Sequence, residues 1–188
     1  DQIAITRGFI EENDHDEKTL ADFNDEVAAE IKEIFEKSID DLVVSVKEEV
    51  EKASKEAFVS MAPKDLEIGG IKITDNYGLQ ILNEKNKPIP APSNAYTEIL
   101  TISLIYGLQK AARKSGPVVI DNPLQHLSKM NKIPVMKFLR KMGEQVVILM
   151  HDGEYDRDEL DEAIGKNIGA EYKILQNHSL DSSWLEER

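Results

Sequence analysis

The first third of the chain carries apolar residues at helical spacing and little that would interrupt a helix. Between Thr19 and Met61 there is no proline and no glycine, and many of the polar positions are Glu or Lys. The apolar positions recur mostly at steps of three and four, as in one stripe along an α-helix: Leu20, Phe23, Val27, Ile31, Ile34, Ile39, Leu42, Val46 and Val50. An unbroken helix over this span would be about 65 Å long, which is more than a compact domain needs. We therefore predict a helical arm over residues 1–62, the end of a coiled coil. The alternative is two amphipathic helices packed on the domain.

After Pro63 the spacing changes from helical to alternating. Apolar and polar residues alternate on both sides of Thr74-Asp75-Asn76, which predicts a β-hairpin between residues 71 and 81 with Tyr77 in its second strand. A buried helix is predicted from about Asn94 to Lys114, ended by Gly116-Pro117. Within the arm segment, the acidic cluster of residues 1–18 indicates a solvated loop at its start.

The second half has the order strand, helix, strand. Residues 118–120 and 146–150 are short, continuous apolar runs joined by a helical stretch that reaches Met142. Two such strands joined by a helix indicate a parallel pair buried on both faces. A helix over 158–164 and a strand over 172–175 follow. For residues 63–188 we predict an α/β fold, a mostly parallel sheet with a hairpin.

Composition and charge exclude several kinds of site. The 188 residues include 36 acidic and 23 basic side chains, a formal net charge of -13, which disfavours this chain as the main DNA-gripping surface. There is no cysteine, so disulfides, thiolate metal sites and a cysteine nucleophile are excluded. No apolar run approaches the ~20 residues that cross a bilayer, and we expect a cytoplasmic protein without membrane contact. Because the chain starts at Asp1, we expect it to be a piece of a longer protein.

One carboxylate and one imidazole follow the two apolar strands. Asp121 comes directly after the first strand, and His151 after the second. Ligands of parallel sheets bind beyond the carboxyl ends of the strands. There a carboxylate suits a magnesium–nucleotide site, and a histidine can stabilise charge at a terminal phosphate. Asp121-Asn122-Pro123 also has ordinary turn chemistry, which is the plainer interpretation.

Four segments give these residues a specific resemblance. From about Leu66 to Asp156 the chain resembles the C-terminal lobe of an SMC-like ABC ATPase head, above all the DndD-type ATPases of DNA phosphorothioation systems. PSNAYTEI (92–99) resembles the signature loop, VVIDNPL (118–124) the Walker B strand, LQHLS (124–128) the D-loop and VILMHD (147–152) the switch strand. The strength of the resemblance lies in the order and spacing of these segments.

The resemblance implies roles, cofactors and partners. It places Asp121 on Mg²⁺, Asn122 where a residue orients the attacking water, and His151 at the switch-histidine position. The implied nucleotide contacts are Ser93, Asn94, Ala95, Glu98, Leu127 and Ser128. ATP and Mg²⁺ are the implied cofactors. The implied partners are an N-terminal lobe with a P-loop, a second ATPase head, and DNA reached through the complex, in DNA modification, repair or anti-phage defence.

The chain also departs from that pattern. Ala95 replaces the signature glycine, Tyr96 the acidic residue after it, and Asn122 the catalytic glutamate, and an amide cannot act as a general base. Gly165-Lys166 is the only Gly-Lys pair, and its surroundings do not fit G-x-x-x-x-G-K-[ST]. We therefore expect ATP chemistry only together with a P-loop lobe, and slow hydrolysis.

Two alternatives remain open. One is a degenerate head that acts as a dimerisation or scaffold module, which the three departures favour. The other is a divalent-metal phosphodiesterase, because carboxylates and imidazoles are suitable metal ligands. Its candidate ligands are Asp121, His126, His151, Asp152 and His178.

Overall fold

The computed structural model describes residues 2–63, 68–113, 116–151, 153–177 and 182–187, with residues 2–21 and 177 described by their backbone alone. The chain forms two units, residues 1–47 and residues 48–188. Asp152 and His178, two of the candidate metal ligands, lie outside the described residues.

One helix, α1, runs from Gln2 to Met61. The solvated loop predicted for residues 1–18 and the alternative of two separate helices are therefore wrong. Solvated Glu and Lys residues are good helix formers, so an acidic segment without proline can continue a helix. Lys32 and Glu36, one turn apart, pair at 3.7 Å on the helix surface.

The hairpin prediction is confirmed. Strand β1 (Ile68–Ile73) pairs antiparallel with β2 (Leu79–Asn83), so that Ile71 faces Ile81 across the ladder. Tyr77, predicted in the second strand, lies instead in the turn with φ 59°. The helix predicted from Asn94 is α2 (Asn94–Ala111), but it is buried on one side only, because Ile105 and Leu108 are exposed.

The parallel pair is also present. Strand β3 (Val118–Asp121) pairs with β4 (Val146–Leu149) in the register Val118 to Val146 through Asp121 to Leu149. Helix α3 (Lys129–Leu139) joins the two strands. Helix α4 (Arg157–Ile164) and a 3₁₀ turn (Gly165–Asn167) follow.

Among the described strands, only this pair is parallel. Strand β5 (Tyr172–Asn177) pairs antiparallel with an unpredicted strand, β6 (Ser182–Glu187). The described strands thus form three two-stranded sheets, two of them antiparallel, in place of the predicted mostly parallel sheet. In each antiparallel sheet the two strands follow one another in the chain, β1 with β2 and β5 with β6.

The core of the second unit is formed by the end of α1, helices α2, α3 and α4, the hairpin and one face of the parallel pair. Its fully buried large residues are Phe58, Met61, Ile99, Leu124, Val135, Met136 and Leu139. Burial of such side chains provides the main stabilisation, about 1.5–3 kcal/mol each. No helix in the described part of the chain has an apolar stretch long enough to cross a membrane.

Candidate functional site

The ends of β3 and β4 bring together the two segments that carry Asp121 and His151. Asp121 is the last residue of β3 and pairs in register with Leu149, the last residue of β4. The next backbone N–H, that of Asn122, donates a hydrogen bond to the Leu149 carbonyl at 2.9 Å. Asp121 belongs to this last pair, and His151 follows it by two residues. Both side chains are exposed. The structure therefore places both residues at the carboxyl edge of the parallel pair, as the sequence predicts.

Asn122 adopts a left-handed backbone conformation, with φ 50°. Asparagine tolerates this region better than most residues other than glycine. The left-handed turn is followed by Pro123 and Leu124, which are buried, so the chain turns back toward the core directly after the exposed Asp121. Asn122 thus has a clear backbone role at this turn.

Ser93 caps the start of α2 with extended backbone, φ -65° and ψ 161°, but its hydroxyl makes no capping hydrogen bond. Its carbonyl accepts the Thr97 N–H at 3.1 Å. Asn94 is exposed, whereas Ala95 and Tyr96 are half-buried and pack against the core. Among the four nucleotide contacts predicted in this loop, Ser93 and Asn94 are therefore the two with exposed side chains.

Glu98 is directed toward the chain after β3. Its Oε2 accepts the His126 backbone N–H at 3.3 Å. Burial raises the pKa of Glu98, and the Glu154 carboxylate adds to this; the His126 and Gln125 backbone groups and the His126 imidazole oppose the increase.

The two predicted D-loop residues differ in exposure. The Leu127 side chain is buried in the core, and its N–H bonds the Leu124 carbonyl at 3.2 Å. Ser128 is exposed and precedes α3, and its carbonyl accepts the Asn131 N–H at 2.9 Å. Of this pair, Ser128 alone presents its side chain to solvent.

Glu154 is a residue that sequence reasoning missed. Its Oε2 accepts the His151 backbone N–H at 3.1 Å, and its carbonyl accepts a hydrogen bond from Lys132 Nζ of α3. Glu154 therefore shapes the turn that carries His151. The sequence offers only a weak signal for this, a glycine at 153 that favours a turn.

The predicted metal ligands do not assemble in the part of the chain that the structure describes. There, no group of three or more His, Asp or Glu residues is placed to hold a metal ion. A Mg²⁺ ion bound with a nucleotide needs only one or two protein carboxylates, because phosphates and waters complete its coordination. The exposed Asp121 fits that requirement.

The outer face of the parallel pair is apolar and open. Val119, Val147 and Leu149 are 65%, 37% and 40% exposed. The alternate residues, Val118 and Ile148 among them, face the core. The sequence predicts that both faces of the pair are buried. Within this chain one face is buried and the other is exposed.

Solved structures with a similar fold include SMC ATPases and Smc head domains. The sequence matches no protein-family model and no curated protein. An SMC ATPase structure, described for "ATP-driven dimerization and DNA stimulated activation", matches with a TM-score of 0.56 and 16% identity, over 79% of this chain and 88% of that one. A Smc head bound to the C-winged helix domain of ScpA matches with a TM-score of 0.54 and 16% identity, over 76% and 43%.

A Smc head domain with coiled coil and joint from Pyrococcus yayanosii matches with a TM-score of 0.53 and 16% identity, over 90% of this chain and 31% of that one. The present chain therefore spans less than half the length of two of these three structures. At this identity the likeness concerns the fold. The chain has the mixed helix and strand fold of part of an SMC head domain.

Proposed function

We propose that this chain is the C-terminal lobe of an SMC-like ATPase head, and that it binds ATP and Mg²⁺ only together with a lobe that carries a P-loop. The observation that carries the proposal is the β3–β4 register, which brings Asp121 and His151 to one edge of a chain with the SMC head fold. In this proposal Asp121 holds Mg²⁺, and His151 contacts the terminal phosphate. Mg²⁺ neutralises phosphate charge when bound.

The signature segment supplies the contact to a second head. Ser93 and Asn94 are open to a ligand at the start of α2, where backbone N–H groups and the helix dipole favour an anion. Ala95, Leu127 and Ser128 complete the proposed nucleotide-binding set, whereas the Glu98 carboxylate is bonded to the His126 backbone beside it. For Leu127 only the backbone is available, because its side chain is buried.

The open face of β3–β4 supports the need for a P-loop lobe. Continuous apolar strands are characteristic of parallel sheets covered on both sides, and here one side is covered by the chain itself. We propose that the P-loop lobe covers the other.

The exposed apolar residues of α1 support the coiled-coil arm. They recur at helical spacing through the first unit, and a second helix would bury them: Phe23, Ile31, Ile34, Phe35, Ile39, Leu42, Val43, Val44 and Val46. The proposed arm spans residues 1–62, and the proposed lobe 63–188.

The finer proposal is a DndD-type head in a cytoplasmic DNA modification, repair or defence system. Its support is the Asp-Asn-Pro-Leu sequence at 121–124 together with the SMC head fold. We propose that DNA is contacted through the complex, because the net charge of -13 disfavours this chain as the gripping surface.

The second candidate is a head without hydrolysis that acts as a dimerisation or scaffold module. Asn122 favours it, since an amide cannot take a proton from water and the residue has a backbone role at φ 50°. Ala95 and Tyr96 favour it as well, because both side chains pack against the core.

The test is reconstitution of this chain with its P-loop lobe, followed by measurement of Mg²⁺-dependent ATP binding, turnover and head dimerisation. Asp121→Ala should weaken Mg²⁺-dependent ATP binding about ten-fold or more, while Asp40→Ala on the arm controls for loss of one carboxylate. Binding without turnover would select the scaffold alternative. Binding that is independent of Mg²⁺ and unaffected by Asp121→Ala would refute the ATPase proposal. Phosphodiesterase activity of this chain alone would favour the metal-site hypothesis.

A further inference from the structure

Two segments far apart in the chain are joined by one carboxylate. Glu98 lies in the second turn of α2, and it accepts a hydrogen bond from the backbone N–H of His126, 28 residues further along. At 3.3 Å this bond is near the long end of the hydrogen-bond range, and it lies at an exposed site. The Glu98 side chain itself is half-buried.

A second carboxylate holds the adjacent loop. Glu154 accepts the His151 backbone N–H at 3.1 Å, and Lys132 of α3 binds the Glu154 carbonyl. Glu154 lies close enough to raise the pKa of Glu98, after the larger effect of burial. The start of α2, the loop after β3 and the loop after β4 therefore meet at one place.

We propose that Glu98 is a positioning residue that fixes the loop 122–128 to the start of α2. This inference rests on the proposed function for the meaning of that loop, which begins beside Asp121 and ends at Ser128. The segment 93–98 faces a second head in that proposal. Glu98 then links the contact with the partner head to the loop beside the magnesium-binding Asp121.

The first test needs no nucleotide. Amide hydrogen exchange of the 188-residue chain, resolved at His126, should be about ten-fold faster in Glu98→Ala, because the acceptor is lost. Glu98→Gln keeps an oxygen acceptor and should stay within about two-fold of the wild-type rate. Glu56→Ala, an exposed carboxylate on α1, is the matched control, and the Ile99 amide in the core of α2 reports that the fold is intact.

If Glu98→Ala does not fold, Glu98→Asp gives the same test. It retains the charge but shortens the side chain by one methylene, so His126 exchange should still increase. Unchanged His126 exchange in whichever of Glu98→Ala or Glu98→Asp folds would refute the inference.

The second test uses the complex with the P-loop lobe and Mg-ATP. A positioning residue should lower turnover or ATP-dependent head dimerisation several-fold with little change in the affinity for ATP, and Glu98→Gln should restore most of the loss. Weaker ATP affinity with normal His126 exchange would show a direct nucleotide contact and overturn the inference. A complex that binds no Mg-ATP at all would refute the proposed function, while the exchange result would still decide the role of Glu98.

Discussion

Asn122 and Glu98 show how single residues near the strand ends serve the backbone as well as any ligand. Asn122 takes a left-handed conformation, and its N–H closes the β3–β4 ladder on Leu149. Glu98 reaches a backbone donor in the next loop. The sequence analysis predicts a role near a nucleotide for both residues, and the structure shows that both also make contacts that hold the backbone.

Glu98 also predicts a pH dependence of stability. Its pKa in the folded protein lies above the ordinary value of 4.5, chiefly through burial. Between 4.5 and the raised pKa, the folded state binds more protons than the unfolded state, so stability falls as pH rises through this window. Below it both states are protonated, and the penalty is absent.

Glu98→Gln should therefore gain stability relative to wild type at pH 7 and lose that advantage at pH 4. Urea unfolding of both proteins at pH 7 and pH 4 measures the difference in their free energies of unfolding. The other carboxylates are the same in both proteins, so their contributions cancel. Glu56→Gln is the control for removing one exposed carboxylate from the chain. An equal effect of Glu98→Gln at both pH values would contradict the prediction.

At the scale of elements, the contact between α1 and α2 depends on a glycine. Gly107 is buried, and a Cβ added there would lie 2.0 Å from Ser54 Oγ and 2.7 Å from the Val50 carbonyl oxygen. Both distances are far below van der Waals contact, and the carbonyl belongs to the helix backbone. The two helices therefore approach closely because residue 107 has no side chain.

Gly107→Ala should destabilise the protein by about 1–3 kcal/mol, despite the gain of up to ~1 kcal/mol in helix propensity. Chemical denaturation measures the change. Gly169→Ala is the matched control, because a Cβ there meets no heavy atom within 4 Å. Adding Ser54→Ala should recover only part of the loss, since the Val50 carbonyl remains in the way.

At the scale of the whole molecule, the second unit has an apolar surface where a covered sheet is expected. Val119, on the outer face of β3, is 65% exposed, more than Val147 or Leu149 on the same face. Exposed apolar residues gathered on one face commonly mark an interaction site. This is the surface on which we place the P-loop lobe.

Val119→Asp should change the stability of the chain alone by less than about 1 kcal/mol but weaken association with the P-loop lobe by at least ~ten-fold. Ile174→Asp, on β5 and 63% exposed, is the matched control and should leave association unchanged. Titration of each variant with the P-loop lobe provides the measurement. If Val119→Asp binds the P-loop lobe as tightly as wild type, the lobe does not cover this face.

The sequence by itself determined the elements whose signal is local. Helical spacing without Gly or Pro predicts the arm, alternation around a polar turn predicts the hairpin, and two apolar runs joined by a helix predict the parallel pair. It also placed Asp121 and His151 at one edge, because parallel strands end on the same side. It failed for the acidic start of α1, since solvated charge does not distinguish a loop from an exposed helix.

Only the tertiary structure decided how these parts contact one another. β6 has too little alternation to be read from SSWLEE (182–187), and its pairing with β5 depends on the partner strand. The Glu98 bond to His126 joins residues 28 positions apart, and Leu127 is buried in a core that several separate elements form together. Contacts of this kind leave no periodic signal, because they arise when separate elements pack together.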